Sequence, residues 1–404
     1  MGTFFLTAGI PASSPALYRQ VRFSAGDPAA LLEFPDPALA ISEAKPTPYR
    51  GRAGELRAST TLLILRDIEN ERAVRSATVD YVASPADFTP DGGLSGDRET
   101  ATAQSAAEAF RRYGASSVTA DRTLPLIYAE MLRRASIEVL CDIERGIVER
   151  RRKADWEIEA VRASQHVTES VMASVCALIG AAAADADGIL LFEGEPLTSE
   201  RVRAMIDRRL LDAGFSNPES SIVAGRKDGG DCHALGSGLL RRGETIIVDI
   251  FPRSRTSHYF GDCTRTVVNG AVDPVHERMH RAVRKAKRAA QRTIRAGVTG
   301  EEVHRAVIAA LEADGFGYAA PGSDEAQNEI RLTHGTGHGL GLSCHEPPLL
   351  DFGGPELLPG DIVSVEPGLY SKKYGGIRIE DMVVVTPAGC ENLGAPISES
   401  LVWS

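Results

Sequence analysis

With 404 residues, 43% of them apolar and 25% charged, the chain has the composition of an ordinary globular protein long enough for two or three domains. Its formal net charge of -10 repels phosphate backbones and anionic lipid, which argues against nucleic acid and membrane surfaces as partners and favours small substrates. Six cysteines stand singly with no CxxC pair, the pattern of a reducing compartment rather than of a disulfide framework or a thiolate zinc site.

The opening segment MGTFFLTAGIPASSPALYRQ lacks a basic n-region, and no later run reaches the roughly 18 apolar residues needed to span a bilayer, so a cytoplasmic protein is expected. Residues 1–150 alternate short apolar runs (61–65, TLLIL) with Pro, Gly and Asp punctuation and with helical stretches such as 103–113, which predicts an N-terminal α/β domain. Residues 86–100 read as a surface loop, and the charged run 144–153 as an exposed helix or linker to a second domain, 151–404. There, helical patterns at 156–183 and 199–213 precede strand-like runs at 245–251 and 264–268. The order then recurs: helices at 275–296 and 300–313, with Gly297 and Gly315 as stop signals, then strand-like runs at 361–365 and 376–386.

The recurrence extends to single residues. Leu240-x-x-Gly243-Glu244-x-Ile246-x-Val248-Asp249 aligns without gaps on Leu357-x-x-Gly360-Asp361-x-Val363-x-Val365-Glu366, and at nearly the same interval Asp262 falls close to Glu380. Both copies carry a carboxylate at the corresponding strand end, which points to a duplicated half-domain.

Carboxylates inside apolar strand patterns need an explanation, because a buried Asp or Glu is costly unless paired, hydrogen-bonded or bound to metal. Asp249 ends IIVD, Asp262 lies in GDCTRT, Glu366 ends IVSVE and Glu380 sits in GIRIEDMVVV. Any one of them could cap a loop or pair with an arginine; four together, with one imidazole, meet the demand of two closely spaced divalent ions for hard oxygen ligands. The imidazoles come from the run HGTGHGLGLSCHEPP, which holds His334, His338 and His345 among glycines that let the backbone approach a ligand closely.

The segments VDIF, GDCTRT, HGTGHGLGLSCHEPP, VEPGLY and GGIRIEDMVVVT, in that order over about residues 150–404, resemble the motifs of the pita-bread metallopeptidases, the group holding methionine aminopeptidase, prolidase and aminopeptidase P. The resemblance implies an α/β (α+β) protein with a duplicated catalytic domain. It implies two divalent metal ions, with manganese first and cobalt, zinc or iron as alternatives. Asp249 would bind one ion through both oxygens, Asp262 and Glu380 would bridge, and His338 and Glu366 would complete the second. Glu366 would also handle the proton of the attacking water, while His233, His334 and His345 line the pocket and steady the substrate.

Residues 6–34 resemble the start of the creatinase-like N-terminal domain carried by prolidase and aminopeptidase P. Arg378, two residues before Glu380 and so on its strand face, is typical of the proline-specific members; read from chemistry alone it is equally a salt bridge steadying the carboxylates. The implied activity is hydrolysis of peptides with proline in second position, as an aminopeptidase or a dipeptidase, by a homodimer. Two rivals share the fold: a metal-free creatinase-like hydrolase, which would lack much of this ligand set, and a pseudoenzyme that binds peptides or proteins. The 13-residue interval from Asp249 to Asp262 is two longer than is usual in the family, and Phe251-Pro252 replaces a small pair. A two-residue change preserves strand-face parity, so the excess is expected to bulge at the turn with both carboxylates still inward.

Overall fold

The computed structural model describes residues 2–47, 59–324 and 329–403. By contact density it divides into two units, Met1–Arg150 and Arg151–Ser404. The first is built on a seven-stranded sheet in the order Lys45–Pro46, Tyr81–Ala83, Thr60–Ile64, Ala29–Phe34, Phe4–Gly9, Ser117–Asp121, Glu138–Asp142. Successive side chains point to opposite faces, and both faces are covered. Ala30, Leu32 and Phe34 enter one core with Leu62 and Phe110, while Ala29 and Leu31 enter another with Leu17 and Leu63. That double burial explains the continuous apolar runs of this region. The stretch read as a surface loop is partly helical: a 3-10 turn covers Pro85–Phe88 and the helix Arg98–Arg112 begins inside it, with the Asp97 carboxylate accepting from Thr100 N at the helix start.

In the second unit, each of two helix pairs lies on its own strands. Asp155–Ala181 and Ser199–Asp212 pack against Thr245–Ile250 through Met172, Ile206, Ile246 and Val248. Pro274–Thr293 and Gly300–Glu312 pack against Ile362–Val365 and Asp381–Val385 through Val283, Val307, Val363 and Val383. The helix starts are written in the sequence: Asp273 caps a helix with Pro274 at its first position, and Thr299 and Glu302 form a reciprocal capping box. Gly243 and Gly360, equivalent in the sequence repeat, both take left-handed conformations (φ 80° and 90°) in the turns that feed the strands carrying Asp249 and leading to Glu366. Among the described residues no helix is long and apolar enough to cross a membrane.

Two expectations are corrected. The run 376–386 is two strands, not one: Gly375–Arg378 pairs with Gly368–Ser371, and Asp381–Val385 pairs with Ile362–Val365 and Cys390–Asn392. The chain changes sheets at Ile379–Glu380, where Glu380 N donates to Thr264 O. An uninterrupted apolar pattern records burial and not the identity of the neighbouring strand. Nor is 144–153 uniformly exposed: only Val148–Arg151 is helical, Arg151 pairs with the buried Asp361 at 2.7 Å, and Lys153 is buried with its ammonium 2.9 Å from Glu346 Oε1. Its charge is matched by a residue 193 positions away, which no local pattern reveals.

Candidate metal centre

Strand alternation decides which acids meet. Along Thr245–Ile250, Ile246, Val248 and Ile250 face the helices, so Asp249 and Ile247 turn to the other side. Val363 and Val365 likewise face their helix pair, leaving Ser364 and Glu366 for the opposite side. At the sheet switch the neighbours Glu380 and Asp381 part company. Asp381 is held by Arg265 and Lys287, which overcome the effect of burial and keep its carboxyl below the usual range, whereas Glu380 enters the cavity.

Asp249, Asp262, His338, Glu366 and Glu380 line a single cavity of about 500 Å³. Ligand-type atoms of Asp262, His338 and Glu380 lie within 4.8 Å of one another. His338 Nε2 is 3.4 Å from Glu366 Oε1 and 3.8 Å from Asp262 Oδ2. The long interval between Asp249 and Asp262 is taken up after the strand, where Arg253–Ser254 pairs with Phe215–Ser216; Asp249 and Ile250 stay in register with Thr264 and Cys263. Asp262 is fixed through its backbone, its N–H donating to Gln165 Oε1 at 2.9 Å and its carbonyl accepting from Gln165 Nε2 at 2.8 Å. His338 sits on the short strand Gly337–Gly339, and the glycines there are required by close backbone approach: a Cβ at Gly337 would lie 2.0 Å from Ser364 O, and one at Gly339 2.4 Å from Glu346 O.

The electrostatics are those of a cation site. Burial first, then the neighbouring carboxylates, push the Asp262 and Glu380 carboxyls well above their usual range; burial also raises Glu366, to about 7, against the opposing pull of Arg378. Among the described residues the buried Asp249 Oδ1 has no hydrogen-bond partner, while Asp249 Oδ2 accepts from Arg378 Nη2 at 2.7 Å. The His338 Nδ1 proton goes to the Gly339 carbonyl, 3.1 Å away, so Nε2 turns a lone pair toward carboxylate oxygens. Lone pair against carboxylate, beside an orphaned carboxylate oxygen, is relieved by a shared proton or by a cation between them, and the raised carboxyl pKa values record that demand for positive charge. The residues present therefore fit divalent metal, and a set of four carboxylates with one imidazole fits hard or borderline ions.

The other candidates take different stations around the same cavity. His233 and His345 are exposed at its wall, and the His345 ring lies against His338 with centroids 4.1 Å apart and the planes tilted by 44°. His334 has both nitrogens engaged. Nδ1 donates to Gly335 O at 2.7 Å, so Nε2 accepts from the Tyr370 hydroxyl at 2.8 Å; burial, reinforced by Arg378, drops its pKa to about 3. Arg378 joins the two ends of this network, donating to Tyr370 Oη at 2.9 Å, to the Cys232 carbonyl at 3.1 Å and to Asp249. Tyr370, Thr264 (donating to Glu380 Oε2 at 2.8 Å), Ser364 (to Glu366 Oε1 at 3.1 Å) and Gln165 were not singled out from the sequence. Tyr370, Thr264 and Ser364 lie in the quoted motifs or strand runs on the carboxylate-bearing face, which was the available signal; Gln165 lies on a helix about a hundred positions away and gave none.

Residues 159–387, more than half of the chain, match metallopeptidase family M24. A curated relative, the probable dipeptidase PepE of Mycobacterium tuberculosis, is 30% identical over 268 residues, 66% of this chain and 60% of that protein. The match thus spans about three-fifths of the relative's length. The solved prolidase from Pyrococcus horikoshii OT3 superposes with a TM-score of 0.72 at 20% identity, covering 98% of this chain and 95% of that one. The X-Pro aminopeptidase from Thermotoga maritima MSB8 gives 0.74 at 21%, covering 99% and 97%. Nearly the whole chain thus has the expected fold, a creatinase-like α/β part followed by the pita-bread part. The family match and the ordered motifs agree, and the chain belongs to metallopeptidase family M24.

Proposed function

We propose that this chain hydrolyses the peptide bond between an N-terminal residue and proline, as an Xaa-Pro aminopeptidase or Xaa-Pro dipeptidase. Asp249, Asp262, His338, Glu366 and Glu380 hold two divalent ions, with manganese preferred over cobalt, zinc or iron. The observation that carries the reading is the meeting of four carboxylates and His338 Nε2 in one cavity, with Asp249 Oδ1 buried and without a hydrogen-bond partner among the described residues. The printed names of the relatives, dipeptidase, prolidase and X-Pro aminopeptidase, support the substrate class.

What such ions supply is Lewis acidity toward the scissile carbonyl and a lowered pKa for the attacking water. The protein's own side chains do the rest. Glu366, steadied by Ser364, takes the water proton and returns it to the leaving nitrogen. The Arg378–Tyr370–His334 network fixes the orientation of Asp249. His233 and His345 donate to substrate carbonyl oxygens, and Ile222 and Phe251 offer an apolar seat to the N-terminal side chain and the proline ring. The six unpaired cysteines support a cytoplasmic site of action, and the creatinase-like residues 1–150 support a homodimer with the catalytic domain at 151–404.

The test is a panel of Xaa-Pro and Xaa-Pro-Xaa peptides with each metal added in turn to chelator-treated protein. Cleavage before proline that depends on added metal is expected. A protein that cleaves none of them with any metal is not this enzyme.

A further inference from the structure

The wall of the cavity is one-sided in charge. Among the described residues that line it, Arg378 is the one lysine or arginine; it is 3% exposed, and its donors are committed to Asp249, Tyr370, Thr264 and the Cys232 carbonyl. Beyond the four inner carboxylates stand two more, Glu219 and Asp351. Glu219 is exposed and lies close enough to His345 and Cys344 to act on both electrostatically. Asp351 has a side chain 39% exposed and borders the His334–Gly335 wall, where a Cβ on Gly335 would sit 3.0 Å from its Oδ2. Leu235 and Leu349, 47% and 53% exposed, are also part of this wall.

Two metal ions together with the committed Arg378 would offset the inner four carboxylates, and the outer two stand beyond them without a lysine or arginine of their own among the described lining residues. A dipeptide ending in proline carries its free carboxylate on the proline itself, within about 4 Å of the scissile bond and so inside the cavity. No uncommitted lysine or arginine among the described lining residues is available there to receive it, and an imidazole N–H can bond a peptide carbonyl without cancelling a carboxylate. Resting on the reading above, we infer that this cavity selects peptides that continue past the proline, with a neutral or cationic group where a dipeptide would place its terminal carboxylate. Glu219 and Asp351 are the residues that set this preference. The protein is then an aminopeptidase on longer chains and not a dipeptidase.

The cleanest probe changes only that charge: alanyl-proline against alanyl-prolinamide, with alanyl-prolyl-lysinamide as the cationic extension, all with the metal-loaded wild-type protein. The amide is expected to exceed the free acid in kcat/KM by roughly tenfold, and the lysine peptide to exceed both. The ratio should shrink as salt is raised, since exposed charges are screened. Glu219→Gln combined with Asp351→Asn should bring the amide-to-acid ratio toward one, chiefly by raising cleavage of the free acid; should the double variant cleave neither, the two single variants are each expected to move the ratio part of the way. Cleavage of alanyl-proline as fast as its amide overturns the inference while leaving the peptidase reading standing, as does a ratio that the substitutions leave unchanged. Cleavage of none of the three would remove the peptidase reading and this inference with it.

Discussion

Arg378 and Asp249, 129 residues apart in the chain, meet at 2.7 Å on the floor of the cavity, with the guanidinium on one carboxylate oxygen and the other oxygen left without a partner. The arginine is thus at once a counter-charge for four crowded acids and a clamp that aims Asp249 inward. Removing it leaves those acids without a lysine or arginine among the described residues that line the cavity. Arg378→Met is expected to destabilise the metal-free protein by about 3–5 kcal/mol, the usual cost of unpairing one member of a buried ion pair, and the metal-loaded protein by less. Arg378→Lys should recover little, because a single ammonium cannot reach Asp249, Tyr370 and the Cys232 carbonyl together. Denaturant unfolding with chelator and with manganese measures both differences.

Burial of these acids, with their mutual repulsion, predicts an inverted pH dependence. Glu366 has a folded-state pKa of about 7 against an ordinary value of 4.5, so its folded form prefers the proton. That contribution to stability is complete below about pH 4.5 and is lost as pH rises through 7; Asp262 and Glu380, also raised, act in the same sense. Chelator-treated protein should therefore melt at progressively lower temperature between pH 5 and pH 8, and Glu366→Gln should flatten that slope. With saturating metal the slope should reverse, since binding requires the carboxylates deprotonated. Thermal unfolding across that range, with and without metal, decides it.

Lys153 and Glu346 form a second buried pair, with side chains 2% and 3% exposed, directly beside His345 in the chain. The glycine loop wraps it so closely that a Cβ at Gly341 would come within 2.6 Å of Glu346 Oε1. Lys153→Met is expected to cost about 3–5 kcal/mol, whereas Lys153→Met combined with Glu346→Met should cost less than either change alone, because neither charge is then left buried without the other. The double-mutant cycle in urea measures the difference.

The carboxylate-bearing strands were legible because their signals are local. Asp249 and Glu366 each close an apolar run fed by a glycine turn, and the two runs align without gaps, as the matching left-handed Gly243 and Gly360 reflect. What could not be read depends on distant partners. The apolar run through Ile379 and Glu380 gives no sign that the chain leaves one sheet for another, since both sides of the break are equally buried. Lys153 looked like part of a solvated charge run because Glu346 lies far along the sequence. His334 stood in a motif that suggested a hand on the substrate, yet its nitrogens are bonded to Tyr370 and Gly335, a fact that geometry alone supplies.

Divalent ions held by acids from separate strands are measured most directly as the number of ions retained per chain after loading with manganese and desalting. Wild-type protein is predicted to retain two, and Asp262→Asn and His338→Ala to retain fewer while their metal-free forms melt no lower than the wild type. A wild-type chain that retains none at saturating metal, or variants that retain as many as the wild type, would contradict the metal centre.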